Sequence, residues 1–390
     1  MVRVPVMLCC MIRENLVHGF ATPEGTRNFS ARFPEAERVG NFRQASGVKG
    51  FKDLWFSSIG MGSYLGETDA AADQLYQQAA VTAVRHGINV LDTAINYRHQ
   101  RSERNFGEAI RELLKSGEVQ RQDLIVCSKA GYLSFDGDVP ADPRQYFTKE
   151  YIDTGIIKHS DVAGGMHCMA SAYIADQIGR SRRNLGLETI DVFYLHNPET
   201  QLAEVAPPEF HARLKAAFAT LEKAVAAGKI RSYGIASWNA FRVPQGEHGH
   251  MSLAECLSAA RDVAGEDHHF RFVQIPFNLA MTEAYAAPNQ PFGHELVSPL
   301  EFAAREGIAV IGSATLYQGQ LTRNLPLRLH DCLEGTTDAQ CAMQFARSAP
   351  GLLTALVGMG RPAHVLENLQ VANRPMVPRD KWEALFSRDA

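Results

Sequence analysis

Three phrases of the chain repeat one physical idea: RHGINVLD at 85–92, AAGKIRSYGIAS at 226–237 and REGIAVIGS at 305–313. In each, a helical stretch meets a glycine and passes at once into a short, apolar, β-branched segment. Gly87, Gly228 and Gly307 stand where a helix ends in the left-handed conformation, which glycine takes without strain. The segments behind them are nearly continuous apolar runs rather than alternating ones, as buried parallel strands are. Helix, stop and parallel strand in repetition imply right-handed β–α crossovers.

Outward from these phrases the same rhythm gives eight strand candidates: Ser57–Met61, Ile88–Asp92, Leu124–Lys129, Val192–His196, Ser232–Ser237, Phe272–Phe277, Ala309–Ser313 and Ala355–Gly358. Helix candidates between them include Ala70–His86, Ala170–Leu185, Glu209–Ala227 and Pro299–Glu306. Eight units predict an α/β protein of the closed (β/α)8 TIM-barrel class, since doubly wound sheets usually stop at roughly five to seven strands. The barrel is expected as one domain over 51–390. Residues 1–50, rich in Arg, Glu, Gly and Pro, are expected as a partly irregular N-terminal extension packed on it. Within that extension the apolar run Val4–Ile12 loosely resembles a short signal peptide. Arg13 and Glu14 follow at once, however, and no small-x-small cleavage site lies behind them; Met11 is a candidate alternative start. One spacing is irregular. Ala130–Met169 is a long insertion after the third strand, and because loops after strands build the active face of a barrel, it is expected to wall the substrate pocket.

Composition excludes several classes. The 390 residues are 45% hydrophobic and 21% charged with a net charge of -4, and no Lys/Arg run or basic stripe occurs, so nucleic acid is not an expected partner. Seven irregularly spaced cysteines without a C-x-x-C argue against a disulfide framework or zinc ribbon and fit a reducing, cytoplasmic setting. No apolar run approaches the roughly 18 residues needed to cross a bilayer. His248/His250 and His268/His269 lack Cys or carboxylate at zinc-like spacing; they are read as solvated loop histidines, and no metal is expected. Without coiled-coil heptads, a monomer is the default.

The chemistry gathers at strand ends. Asp92, Lys129 and His196 close the second, third and fourth strand candidates, and Tyr97 lies in the loop after the second. Singly, each has an ordinary explanation: a cap, two solvated charges, a packed ring. On a barrel, though, all four meet at one mouth.

GINVLDTAINYRHQRSERNFGEAI (87–110), LIVCSKAG (124–131), DVFYLHNPE (191–199), VQIPFNL (273–279) and LVGMGRPAHVLENL (356–369) resemble, in order, segments of the aldo-keto reductase superfamily, over roughly residues 50–373. The resemblance implies a tetrad of Asp92, Tyr97, Lys129 and His196. It also implies hydride transfer between a nicotinamide cofactor and a small aldehyde, ketone, alcohol or sugar. In that scheme Lys129 lowers the pKa of the phenol, Asp92 holds Lys129, and Tyr97 is the acid in reduction and the base in oxidation. His196 donates a hydrogen bond to the carbonyl oxygen.

GMGSYLG (60–66) nearly matches a dinucleotide fingerprint, but its spacing fails by one residue and no helix opens directly behind it. The resemblance instead puts Gly62 and Ser63 under the nicotinamide. It gives Gln274 the carboxamide, sets Ser237 where an asparagine usually helps, and gives Glu367 and Asn368 the adenine. Ser313, Leu316, Gly358 and Arg361 complete the expected cofactor set. Two departures stand out. Ser313 replaces a stacking aromatic, for which Tyr317 is a candidate substitute. The positions of the phosphate-holding Lys and Arg are Gly358 and His364, with Arg361 nearby. Family habit favours NADP(H) over NAD(H). Tyr64 and Trp238 are candidate substrate-pocket residues, although core packing explains them equally well. Two other readings compete: a cofactor-binding sensor with little turnover, motivated by the insertion, the extension and the missing aromatic, and an unrelated barrel hydrolase or aldolase using Lys129 as a Schiff-base amine.

Overall fold

The computed structural model describes residues 16–387, so Val4–Ile12 and Met11 lie outside the described residues. Eight parallel strands close into a barrel: β1 (Ile59–Gly62), β2 (Val90–Asp92), β3 (Ile125–Ala130), β4 (Ile190–His196), β5 (Ile230–Ala236), β6 (Phe270–Pro276), β7 (Ala309–Ser313) and β8 (Leu352–Gly358), with β8 pairing back to β1. The helices around it are α1 (Ala70–Arg85), α2 (Arg101–Lys115), α3 (Ser171–Leu185), α4 (Pro207–Ala226), α5 (Leu253–Ala264), α6 (Pro299–Glu306), α7 (Asp338–Ser348) and α8 (Pro362–Asn368). Local chemistry sets their ends. The Asp69 carboxylate accepts the Ala72 amide at the start of α1, and Ser298 does the same for Glu301 ahead of Pro299 in α6. Gly228 and Gly307 take φ of +67° and +66°, the left-handed stop read from sequence.

The register lines up the mouth. Gly62 pairs with both Asp92 and Gly358, His196 with Ala236, Ala236 with Gln274, and Pro276 with Ser313. Most residues of interest therefore stand at one level, at the C-terminal ends of the strands.

The opposite end is plugged. The first strand candidate began too early: Trp55–Ser57 turns back to pair antiparallel with Phe42–Gln44, and the barrel strand starts at Ile59. This hairpin and the helices Pro23–Ala31 and Pro34–Arg38 carry the chain beneath the barrel. Phe51, Leu54 and Phe56 join the inward-facing Val90, Ile125, Val192, Phe272 and Ile311 in one apolar cluster, with the Phe51 ring edge-on to Phe272 at 4.8 Å. A buried carboxylate ties the extension on: Asp191 accepts from the Ala21 amide (2.8 Å), the Val126 amide (2.9 Å) and the Arg121 guanidinium (2.7 Å).

The 130–169 insertion folds around its own aromatic rings. Phe135, Phe147 and Tyr151 stack in sequence, Tyr146 meets Phe135 and Phe147 edge-on, and Tyr151 meets Tyr173 of α3 edge-on. The histidine pairs are less solvated than expected. His268 is buried beside Arg271, His250 meets the Asn289 carbonyl, and His269 pairs with Glu222; only His248 is exposed. Among the described residues no helix is long and apolar enough to cross a membrane.

Phe51→Ala should cost about 3–5 kcal/mol of stability in urea unfolding, the usual range for a phenylalanine removed from a packed core. A loss below about 1 kcal/mol would mean that the extension is not part of the barrel's core.

Candidate active site

Lys129 projects from β3 into the barrel and is wholly buried. Its ammonium donates to Asp92 Oδ1 at 2.5 Å and to the Thr93 carbonyl at 2.8 Å, while Asp92 Oδ2 accepts from the Gln274 amide at 2.8 Å. Burial alone would lower the pKa of Lys129, but Asp92 and Tyr97 beside it outweigh burial and hold the ammonium above its ordinary value. The amine is protonated at neutral pH, which suits a fixed charge and not a Schiff-base nucleophile.

The Tyr97 ring lies over that charge, 4.8 Å from Nζ to the ring centroid. The expected sign of its pKa needs correcting. Lys129 does pull the phenol down, but burial is the larger effect and the net pKa is raised. The sequence carries no measure of desolvation, so the ammonium was the only influence visible there. Tyr97 consequently keeps its proton at neutral pH.

His196, at the end of β4, stands edge-on between two tyrosines, 5.9 Å from the Tyr97 ring and 5.3 Å from that of Tyr132. Burial first, then Lys129 and His167, push its pKa well below the ordinary value, so it is neutral. Its Nδ1 is buried without a partner, which leaves Nε2 as the nitrogen available to the cavity.

The cavity at this mouth has a volume of about 540 Å³. Tyr97, His196 and Asp92 line one part of it, with Tyr64 and Trp238 nearby. Gly62, Ser63, Ser237, Gln274, Ser313, Leu316, Gly358, Glu367 and Asn368 also line it. Lys129 lies behind this wall. Two expected residues and one expected segment stand apart from the cavity wall. Arg361 is exposed and outside the cavity, because it precedes Pro362 in extended backbone at the start of α8; His364, one turn on, lines the wall instead. Tyr317 does not line it either, and Leu316 is the neighbour that does. No residue of 130–169 lines it. The insertion instead backs His196 from outside: the His167 ring meets the His196 carbonyl through Nε2 at 2.8 Å, and the Tyr132 hydroxyl accepts from Asn197 at 2.9 Å.

Two expected cofactor contacts are engaged within the protein. Gln274 donates to Asp92, and Ser237 donates to Glu199 Oε1 at 2.7 Å while accepting the Ala240 amide. Sequence reasoning missed Asn197, directly behind His196 in LHNPE, and the segment after β7, where Thr315, Gln318, Gly319 and Thr322 line the cavity. The adjacency of Asn197 to a strand-end histidine was an available signal; the β7 segment offered none beyond its place after a strand.

A model of the aldo/keto reductase family matches residues 58–385. The chain belongs to the aldo/keto reductase family. Among relatives, an NAD(P)H-dependent D-xylose reductase of Kluyveromyces lactis is 25% identical over 46% of this chain and 48% of its own length. An NADH-dependent D-xylose reductase of Candida parapsilosis is 23% identical over 47% of this chain and 48% of its own. The chain thus spans about half the length of these curated relatives. A third, the NAD(P)H-dependent D-xylose reductase I,II of Candida tropicalis, is 21% identical over 83% of this chain and 86% of its own length. Solved structures share the fold. A glycerol dehydrogenase from Gluconobacter oxydans superposes with a TM-score of 0.60 at 18% identity, covering 88% of this chain and 93% of that one. An aldo/keto reductase from Klebsiella pneumoniae in complex with NADP and acetate gives 0.57 at 20%, covering 85% and 91%.

Within this aldo/keto reductase barrel the Lys129–Asp92 pair has a measurable consequence. Lys129→Met strands a buried carboxylate and should cost about 3–5 kcal/mol of stability. Adding Asp92→Asn should recover part of that loss in the same unfolding experiment. No recovery would mean that the ammonium stabilises through packing rather than through its charge.

Proposed function

We propose that the chain is a nicotinamide-dependent oxidoreductase that interconverts a small aldehyde or ketone with its alcohol, sugars included, with Tyr97 as proton donor in reduction and acceptor in oxidation. The observation that carries this reading is the convergence, at one cavity mouth, of a protonated phenol, a buried ammonium fixed by a carboxylate, and a neutral imidazole. Each has a task. The Tyr97 phenol lies where a carbonyl oxygen in the cavity can take its proton. Lys129 stabilises the phenolate left behind, and Asp92 keeps Lys129 charged and in place. The Nε2–H of His196 orients the same oxygen.

The cavity fits a dinucleotide. Thr315 Oγ1 is a buried hydroxyl on its wall without a partner, and a side chain at Gly358 would project into open space. Gly62 and Ser63 at one part and Glu367 and Asn368 at another are the residues that would hold it. When bound, the nicotinamide supplies or accepts the hydride.

Family habit favours NADP(H), but the lining of this cavity suits NAD(H) better. Among the described residues no Arg or Lys side chain lines the cavity, while the carboxyl-bearing Glu367 does. A 2′-phosphate adds up to about two negative charges and is usually met by a guanidinium or ammonium. Titration of the protein's fluorescence should give at least a roughly tenfold tighter Kd for NADH than for NADPH, since each missing charge-assisted contact is worth about 1.5–3 kcal/mol. Equal or tighter NADPH binding that is lost in Arg361→Ala would reverse this, with Arg361 reaching the phosphate.

Tyr97→Phe should abolish turnover while cofactor binding stays within a factor of two or so, as removal of a proton donor predicts. Undiminished activity would sink the assignment. With the phenol's pKa raised above its ordinary value near 10, the reduction rate should hold its plateau through neutral pH and fall only in the strongly alkaline range. Oxidation should rise over that same range. A reduction rate that falls between pH 7 and 9 would contradict the direction of the shift.

A further inference from the structure

Directly behind Tyr97 the backbone does something unusual for residues that carry side chains. Arg98, His99 and Gln100 have φ of +47°, +54° and +71°, three consecutive left-handed residues without a glycine among them. Only a surrounding structure that over-determines such a turn can keep it. The fastening is the Arg98 side chain, which is buried. Its Nε donates to the Glu67 carbonyl at 2.8 Å, Nη1 to Asn105 Oδ1 at 2.6 Å and Nη2 to Asp73 Oδ1 at 2.7 Å. Its guanidinium lies 4.9 Å from the centroid of the Tyr76 ring, and the Tyr76 hydroxyl in turn donates to the Leu65 carbonyl.

Leu65 and Glu67 belong to the loop that carries Tyr64, whose ring stands edge-on to Tyr97 at 5.0 Å. One guanidinium thus grips the turn that aims Tyr97, the loop that supplies its aromatic neighbour, and the starts of α1 and α2. The far side of the turn is held as well: the Gln100 amide donates to the Phe135 carbonyl, and the Gly137 amide to the His99 carbonyl.

We infer that Arg98 is a positioning residue for Tyr97, clamping a strained left-handed turn that sets the phenol between Lys129 and the Tyr64 loop. The inference rests on the role of Tyr97 proposed above. It assigns Arg98 no contact with substrate or cofactor. A planar fork with three acceptors is a task that a lysine ammonium does not reproduce.

The test compares wild type, Arg98→Met, Arg98→Lys, Arg98→Met/His99→Gly and Tyr97→Phe. Reduction of 4-nitrobenzaldehyde is followed with whichever of NADH or NADPH binds, and rates are counted per cofactor-binding site so that only folded protein enters. Arg98→Met should lower kcat on the order of ten- to a hundredfold, the scale of a misplacement near 1 Å, with KM and cofactor Kd within a factor of two or so. Arg98→Lys should recover little. The added His99→Gly, by making the left-handed turn costless at that position, should recover part of the loss. A second readout needs no turnover: in the phenolate absorbance difference against Tyr97→Phe, Arg98→Met should bring the ionisation of Tyr97 down toward 10, because a phenol released from its place is better solvated. If Arg98→Met does not fold, Asp73→Asn weakens the same clamp more gently and should move both readouts the same way by a smaller amount. Wild-type kcat and an unmoved phenol titration in Arg98→Met, or in Asp73→Asn where only that variant folds, would overturn the inference. Retained turnover in Tyr97→Phe would overturn instead the reading on which it rests.

Discussion

An ammonium in the dry interior of a barrel must be answered there, and Lys129 is answered by Asp92 across 2.5 Å. Much of the mouth is arranged around that pair. Gln274 occupies the second oxygen of Asp92, the Thr93 carbonyl takes another ammonium proton, and the Tyr97 ring covers the charge. The same positive charge helps keep His196 neutral. A like-sized apolar pair would pack as well, but it would leave the phenol without a nearby charge to stabilise its ionised form. On the proposed role of Tyr97, the pair serves chemistry at some expense to stability.

The cavity wall in front of that pair mixes apolar and polar side chains, with a carboxylate at Glu367 and an imidazole at His364. Tyr64, Trp238, Leu316 and Thr315 add apolar surface and hydroxyls but no further cation. The balance differs at the other end of the barrel, where Asp191 is satisfied by two amides and a guanidinium and does purely architectural work. Two buried ion pairs, one at each end of the barrel, thus stand in different surroundings, and only the Lys129–Asp92 pair has a phenol over its ammonium.

The barrel was legible because its signals are local. A glycine at a helix stop and a nearly continuous apolar run can be seen without knowing what they touch, and all eight runs became strands. The residues at strand ends were legible for the same reason: once the strands are placed, Asp92, Lys129 and His196 can only converge. Elsewhere the deciding physics is tertiary. The insertion turned inward on Phe135, Tyr146, Phe147 and Tyr151 instead of walling the cavity, a preference set by which rings meet in space. Desolvation reversed the expected shift of Tyr97, and desolvation is a property of depth. The left-handed run at Arg98–Gln100 bears no glycine to announce it, so its conformation is written in its partners and not in its letters.

The seam of the barrel has a consequence for how the molecule is made. β1 is completed by β8, and the Thr354 hydroxyl bonds to the Ser57 carbonyl 297 positions away. On a ribosome, the first strand waits with an unsatisfied edge until almost the whole chain has been synthesised. The antiparallel hairpin of Phe42–Gln44 with Trp55–Ser57 is by contrast a local pairing, open to the chain early, although its later partners Asn89 and Leu352 arrive downstream. Closure, with the level mouth it produces, is then a late event of high contact order, and the mouth forms only once the last strand is in place.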